Sequence, residues 1–477
     1  MKRIFLVGMN ILLLTAALPL VGQDKGGVLT LKQCIETGIA NNLRVQQNKL
    51  DVESARINLQ QSKLNRLPDL NAAMNHGINQ GRSIDPFSNS YINQQVSYAG
   101  YGLSSGILLF NGMRLQNTIK QNSFAYEATK MEEQQSQDNL TINIILAYLQ
   151  VLNNEDILAQ SKAQAELTKK QVERLDIMNK EGAISPPLLY DLRGQYANDQ
   201  LNIISNENAV QSAKLALSQL MNVAYDKNMK LERLESSDFA AKYNDSPSAV
   251  RDAALKQFAQ VVAADLRKKS AEAAVKVASS TLYPSLSFNV NANTNYSSAA
   301  SQDKFINSTD VTSTDYVIVN GNQTSVIKKQ NNFQTSKITY GSQLNNNLFN
   351  SFGLNMTIPI FNGNQARNRV KLARLNVKNN DLIVKTVKNE LGQAIDQAFI
   401  NLETASSRYT TLQEQVTAYT ESFHAAEVRF ASGVGTSVDY LTAKNNLDRA
   451  NINLISSKYD YVLRTKLLDY YQGKKLW

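Results

Sequence analysis

Hydrophobic positions along the chain follow two different periods, and the places where the period changes divide it. Two stretches, Gly112 to Glu181 and Gly363 to Ser432, each run 70 residues without proline. Wholly helical, each would measure about 105 Å at 1.5 Å per residue. In the second stretch Leu391, Ile395, Ala398, Leu402, Ala405, Tyr409, Leu412, Val416, Tyr419, Phe423, Ala426 and Phe430 are spaced alternately four and three. That spacing is a heptad seam, the packing stripe of a coiled coil. The first stretch keeps it through Leu140, Ile144, Ala147, Val151, Leu158, Ala165, Val172 and Leu175. Four further helical patterns are about half as long: Pro186 to Asn222, Ser248 to Thr281, Ser437 to Tyr471 and Leu31 to Arg66. Taken in pairs, the first two and the last two each make 71 residues, the length of one long helix. The economical arrangement is two long helices, each flanked by a stacked pair of shorter ones, with the amino-terminal helix completing the carboxy-terminal copy.

Between the helices the period falls to two. Leu70, Ala72, Met74 and Ile78 alternate with Asp69, Asn71, Ala73 and Asn75, and Tyr101, Leu103, Ile107 and Leu109 share one side of a second segment. Leu286, Phe288, Val290 and Ala292 alternate with Ser285, Ser287, Asn289 and Asn291, and Phe352, Leu354, Met356, Ile358 and Ile360 with Gly353, Asn355 and Thr357. These are strands with one apolar and one polar face. A half-buried soluble sheet would alternate in the same way.

The amino terminus separates the two readings. Lys2 and Arg3 precede an apolar run from Ile4 to Val21, followed by Gly22. A basic start, an apolar middle and a small residue predict a secretory signal peptide over residues 1–22, cleaved before Gln23. No later stretch reads as a spanning helix. In an exported chain, four ten-residue strands with apolar faces read as membrane strands, apolar to lipid and polar to water. Four cannot close a barrel, and an open edge in lipid is not tolerated, so the barrel must be shared between copies. Two copies would give eight strands and a filled interior; three give twelve and the first open lumen.

The chain is also a duplication. Leu67-Pro68-Asp69-Leu70 recurs as Tyr283-Pro284-Ser285-Leu286, and Phe110-Asn111-Gly112 as Phe361-Asn362-Gly363 at an offset of 251, which also carries Gly182 onto Gly433 and Ser185 onto Thr436. This predicts a first repeat over 23–225, a linker over 226–247 and a second repeat over 248–477. The Pro-to-Phe interval is 42 residues in the first copy and 77 in the second, an insertion of 35. Residues 291–350 hold 32 Asn, Ser, Thr or Gln in 60. Within them Tyr316-Val317-Ile318-Val319-Asn320-Gly321 followed by Thr324 to Ile327 predicts a surface hairpin with an Asn-Gly turn, with low-complexity disorder the alternative for the rest of the insertion.

Charge and chemistry add little. Removing Lys2 and Arg3 lowers the formal charge from +9 to +7, spread over helix surfaces rather than gathered in a block, which argues against nucleic acid. Cys34, the single cysteine, lies within a helical pattern and reads as a buried small residue. His76 falls in a strand pattern and His424 on a helix, neither with a second ligand at metal spacing, and no phosphate loop or nucleophile motif occurs. No enzyme activity, metal or cofactor is expected.

Over nearly the whole chain after the signal, the residues resemble the TolC-like outer-membrane efflux family. The marks are Leu29-Thr30-Leu31 opening a helix that contains Asn41-Asn42, the two Phe-Asn-Gly turns, Gly81-Arg82-Ser83-Ile84-Asp85-Pro86, and the run from Val428 to Leu441. The resemblance implies a homotrimer with a twelve-stranded transmembrane β-barrel continuous with a long helical periplasmic tunnel. It also implies docking to a periplasmic adaptor protein and an inner-membrane pump, in the bacterial outer membrane. It places strand-to-helix turns at Asn111, Gly112, Asn362 and Gly363, and adaptor-facing helical tips at Gly182 to Ser185 and at Gly433, Gly435 and Thr436, where glycine reverses the chain and Ser or Thr caps the next helix. Family members narrow the tunnel mouth with two aspartates three residues apart. Asp439 matches the first position and Thr442 stands at the second, so the resemblance implies a weaker constriction built on Asp439. The first-copy equivalents are Leu188 and Asp191. An exported coiled-coil surface or adhesion protein would account for the heptads, but not for strands interrupting duplicated helices.

Overall fold

In the computed structural model, residues 27–85, 89–233, 243 and 245–474 are described. The expected signal peptide and Pro86 lie outside them. Nine helices and eight strands occur among the described residues. The long helices are α3 (Arg114–Lys180) and α8 (Gln365–Ala431), of 67 residues each. The shorter ones are α1 (Leu31–Asn41), α2 (Leu43–Leu64), α4 (Pro186–Met221), α5 (Pro247–Gln257), α6 (Ala259–Ser279), α7 (Tyr340–Asn346) and α9 (Ser437–Tyr471).

Two of the predicted shorter helices are broken. The pattern over 31–66 is interrupted at Asn42 and that over 248–281 at Phe258, both in extended conformation. Asn42 starts the next helix itself, because its Oδ1 accepts from the N–H of Arg44 (3.0 Å) and of Val45 (3.3 Å). Phe258 has no capping side-chain bond. Since Pro68 and Pro284 lie 216 apart, and so do Asn42 and Phe258, the break is a property of the repeat. Apolar periodicity persists across a one-residue change of ψ, which is why the pattern does not reveal it.

The chain divides into two compact units, neither of which is a repeat. One comprises the described residues within 1–46, 136–254 and 392–477; the other those within 47–135 and 255–391. The first unit is built on the apolar stripes of α1, α3, α4 and α9, with Ile35, Ile144, Tyr148, Leu152 and Leu217 fully buried. Leu29 pairs with Leu231 in a single parallel bridge, and the Tyr148 hydroxyl donates to the Leu29 and Glu232 carbonyls (3.2 and 2.8 Å). Cys34 is buried here, and burial pushes its thiol up to about 12. The seam of α8 is buried from Leu391 to Ala405 and half-buried from Tyr409 to Phe430.

This unit also holds a charge cluster that the sequence pattern does not announce. Lys444 on α9 is 1% exposed and bonds Asp199 of α4 (3.1 Å) and Asp448 (2.7 Å). Asp199 further accepts from Thr168 of α3 (2.6 Å) and Gln195 (2.8 Å). The buried ammonium thus joins α9 to α4, α3 entering through Thr168, and its two carboxylates, with three donors on Asp199, offset the desolvation of the charges.

In the other unit β1 (Asn71–Asn79), β4 (Val96–Phe110), β5 (Ser285–Ser297) and β8 (Phe349–Thr357) form one antiparallel sheet in the order β1-β4-β5-β8. The intervening β2 (Arg82–Ile84) and β3 (Tyr91–Asn93) make a small hairpin. The insertion is not structureless chain. It is a long hairpin, β6 (Ser301–Val319) and β7 (Asn322–Lys337), turned at Asn320 and Gly321 with φ of 52° and 81°, as an Asn-Gly turn requires. The helix α7 follows it, capped by the Thr339 side chain.

Two measurements check this packing. Lys444→Ala should destabilise the chain by about 3–5 kcal/mol by leaving two carboxylates facing each other in the interior. Substituting Met together with Asp199→Asn should restore much of that, and an unchanged denaturation midpoint for the single variant would contradict the burial. A thiol held near pKa 12 is almost wholly protonated at pH 8, so Cys34 should resist maleimide until the protein is denatured. Labelling of native protein at the rate of an exposed thiol would contradict the position of α1.

Candidate functional site

Along the paired stretches of the four strands most apolar residues of the alternation lie on one face of the sheet, up to a bulge in β4 between Leu108 and Phe110 that brings Phe110 opposite Leu286. The register pairs Ala72 with Leu103 and Met74 with Tyr101, Leu103 with Ala292 and Ile107 with Phe288, and Phe288 with Leu354 and Val290 with Phe352. On the other face Asn71 meets Ser104, Ser104 meets Asn291 and Asn291 meets Ser351. Away from its loop end the apolar face is uncovered by the described residues: Met74 is 76% exposed, Phe352 71% and Leu354 67%. An uncovered band of this breadth marks contact with another apolar phase. Tyr101, Tyr296 and Tyr340 gather toward the loop end of the same face, the hydroxyls of Tyr101 and Tyr340 2.6 Å apart and the rings of Tyr296 and Tyr340 4.6 Å apart. Beside them Ser297 binds Gln343 through backbone N–H (2.9 Å) and carbonyl (3.0 Å), and its hydroxyl donates to the buried Asp85.

The strand-to-helix turns fall where the repeats placed them. Gly112 and Met113 have φ of 64° and 66°, Gly363 and Asn364 both 62°. The Asn111 carbonyl accepts from Arg114 N–H and the Asn362 carbonyl from Gln365 N–H, each at 3.2 Å. Their surroundings differ. A Cβ on Gly112 would meet the Ser280 carbonyl at 2.7 Å and Tyr283 Cβ at 2.8 Å, whereas nothing in the chain lies within 4 Å of one on Gly363.

Both helical reversals turn on glycine, with φ of 68° at Gly182 and 77° at Gly433. After Gly433, the N–H groups of Val434 and Gly435 both donate to the Arg429 carbonyl (3.0 and 2.9 Å). Gly435 is close-packed as well, since a Cβ there would stand 3.1 Å from Phe430 N. Thr436 caps α9: its hydroxyl oxygen accepts from Asp439 N–H (3.1 Å), while the Asp439 carboxylate accepts from the Thr436 N–H (3.4 Å) and O–H (2.8 Å). Those bonds, with Arg429 nearby, hold Asp439 below the usual carboxylate range. Ser185 corrects the symmetric expectation. It occupies the cap position of α4 but makes no side-chain cap bond. Pro186 and Pro187 remove the first two donors, and Leu188 N–H reaches the Ser185 carbonyl instead (3.3 Å).

Asp439 and Thr442 are both exposed, on one side of α9. The neighbouring Tyr440 is fully buried against Phe430 (4.8 Å) and Phe423 (5.5 Å) and joins Leu175, Leu189 and Leu192 in one cluster, so the two tips pack together. Ser437 also donates to Asp191 (3.2 Å). Sequence reasoning passed over Lys444 and Asp448, although Tyr440, Lys444 and Asp448 stand four apart on one side of α9.

Among the described residues no helix is long and apolar enough to cross a membrane, and no group of three His, Cys, Asp or Glu could hold a metal ion. The model for outer membrane efflux proteins matches residues 34–223 and 250–469. The outer membrane protein TolC of Escherichia coli is 21% identical over 440 residues, covering 91% of this chain and 80% of that one. The TolC of Vibrio cholerae is 22% identical over 400 residues, covering 83% and 80%. Among solved structures, CusC superposes with a TM-score of 0.74 at 15% identity, covering 93% of this chain and 92% of that one. The outer membrane protein VceC of Vibrio cholerae gives 0.73 at 14%, covering 94% and 97%. With both repeats matched and the sheet and helices of those channels reproduced, this chain belongs to the outer membrane efflux protein family and is a non-enzymatic channel protein of the bacterial outer membrane.

Proposed function

We propose that three copies of this chain close one twelve-stranded barrel over one helical tunnel, a passive exit duct crossing the outer membrane and periplasm. An inner-membrane pump feeds it through a periplasmic adaptor that engages the tips at Gly182–Ser185 and Gly433–Thr436. The two repeats, 23–225 and 248–477, act as alternating sectors of the ring.

The observation that carries this reading is the pair of free edges. The outward edges of β1 and β8 have no partner among the described residues, yet they are repeat-equivalent to the edges at which β5 and β4 pair. Moving β4 by +251 and β5 by −216 converts the pairing of Gly100 with Asn295 into Ser351 with Asn79, and that of Ser104 with Asn291 into Asn355 with Asn75. The open surface at Gly363 has the same origin, because the equivalents of Ser280 and Tyr283 are Leu64 and Leu67 of a neighbouring copy. Leu375 and Leu382, exposed on the side of α8 away from its seam, supply the matching apolar contact between helices. Three copies rather than two follow from the need for an open lumen.

The mouth of the duct is assigned to Asp439, with Thr442 one turn on. Three Asp439 carboxylates about one axis form a ring that draws cations, and the capping bonds and Arg429 keep each of them ionised. A specific observation favours this position over a surface role: Asp439 is fixed in direction by Thr436 rather than left mobile.

In a Cys34→Ala background, Asn75→Cys with Asn355→Cys should give disulfide-linked trimers from outer-membrane fractions. Asn75→Cys with Leu354→Cys, off register by one residue and on opposite faces, should not. Linked dimers alone, or equal yield from both pairs, would refute the shared barrel. Asp439→Asn keeps the size of the side chain and removes its charge. In planar bilayers it should weaken divalent-cation block and cation selectivity, with Asp191→Asn having the smaller effect; the reverse order would assign the constriction to α4.

A further inference from the structure

The first turns of α8 carry a row of cations that has no counterpart in the other repeat. At about 100° per residue, Arg367, Lys371, Arg374, Lys378 and Lys385 fall within an arc of about 60° on one side of the helix. All five are exposed. Lys385 pairs with Asp381 (2.9 Å), but Arg367, Lys371, Arg374 and Lys378 meet no carboxylate among the described residues. The positions 251 earlier hold Gln116, Lys120, Ser123 and Glu127, one cation and one anion. Just ahead of the row stand Ile360 and Phe361, 94% and 82% exposed, at the end of the apolar face of β8.

The direction in which the row looks is fixed by handedness. Asp69 N–H donates to the Gly106 carbonyl (3.1 Å), so in β1 it is the odd-numbered, polar-face residues that bond β4. For L-residues in a rising strand, a side chain facing the viewer sends its own N–H and C=O to the right. Seen from the polar face, then, β4 lies to the right of β1, and β5 and β8 follow in that direction. The helices keep this order, since Asn122 of α3 reaches the Asn58 carbonyl of α2, Arg267 of α6 pairs with Glu132 of α3, and Lys268 of α6 pairs with Asp381 of α8. Descending from β8, the right-handed α8 turns clockwise as it recedes. Asp381, paired with Lys268, and Lys388, paired with Asp265, mark the side of α8 that faces α6, and the buried Ala366, Val370 and Val384 lie within the same arc of about 60°. A quarter turn clockwise from that seam points to the side of the sheet that carries Leu354 and Phe352. The cations therefore lie beneath the apolar face, not beneath the polar one.

The geometry points to a docking surface for anionic phospholipid headgroups of the inner leaflet, formed by Arg367, Lys371, Arg374 and Lys378 directly below the apolar band. This rests on the channel reading, which puts lipid against that band. Unpaired cations beginning within two turns of exposed Ile360 and Phe361 form the sequence of apolar, aromatic and basic surface that a bilayer boundary of negative charge attracts. Three copies would place three such patches around the barrel, separated by the near-neutral surfaces of α3.

The test uses the full-length trimer reconstituted in phosphatidylethanolamine containing a minor fraction of phosphatidylglycerol, with retained lipids identified by native mass spectrometry. Phosphatidylglycerol should be enriched over its bulk share by roughly three-fold or more, and the enrichment should fall as salt is raised. Replacing all four cations by Gln should abolish it, while Arg369→Gln, on another side of the same helix, should not. No enrichment in the wild-type trimer, or enrichment that survives the fourfold substitution, overturns the inference and leaves the row to a protein or cell-wall polyanion. Failure to recover any trimer from the outer membrane would overturn the channel reading beneath it.

Discussion

A backbone N–H or C=O that faces hydrocarbon without a partner costs several kcal/mol. The sheet β1-β4-β5-β8 ends in two such rows of groups, and its apolar face is bare. Within one chain neither difficulty is resolved, because the loops at the far end bond inward to Ser297 and Gln343 rather than covering an edge. The remaining features are arranged around that incompleteness. Gly363 is open where Gly112 is enclosed, and Leu375 and Leu382 lie exposed along α8. In the proposed trimer each is half of a contact whose other half stands in the equivalent place of the other repeat.

In the proposed assembly duplication supplies the ring, and the differences between the copies supply its individuality. Both tips reverse at a glycine with positive φ, yet one is stiffened by two prolines and the other by a reciprocal cap between Thr436 and Asp439. The same offset sets Arg193, paired with Asp176 on the surface, against Lys444, buried between Asp199 and Asp448. The mouth proposed on α9 and the lipid contact proposed on α8 both rest on residues present in the second copy alone. Departures from the repeat mark positions where packing alone does not set the residue.

The helices are held mainly by apolar seams, with ion pairs at their margins. Lys268 with Asp381 and Arg267 with Glu132 are partly exposed, and such pairs contribute little individually. Their value lies in fixing which helix stands beside which. The Lys444 cluster is different, because Lys444 and Asp199 are buried and a missing partner would leave a bare charge in the interior.

Most of this organisation was legible in the sequence, because period is a direct record of which face is buried. Heptad spacing located α3 and α8, the shift to period two located four strands, and alternation set most apolar strand residues on one face, with Val96, Leu108 and Phe349 falling on the other. Asn320-Gly321 specified its turn through local backbone preference. What the sequence left undecided were features that depend on residues distant in the chain. The breaks at Asn42 and Phe258 change one ψ without disturbing the stripe. The extent of the β6–β7 hairpin is set by cross-strand pairing among polar residues that carry no alternation. The burial of Lys444 needs Asp199, 245 residues away, and the outward direction of the α8 cations follows only from the handed order of four strands and four helices. Local chemistry and period are written residue by residue, whereas partnership and handedness exist only once the chain has closed on itself.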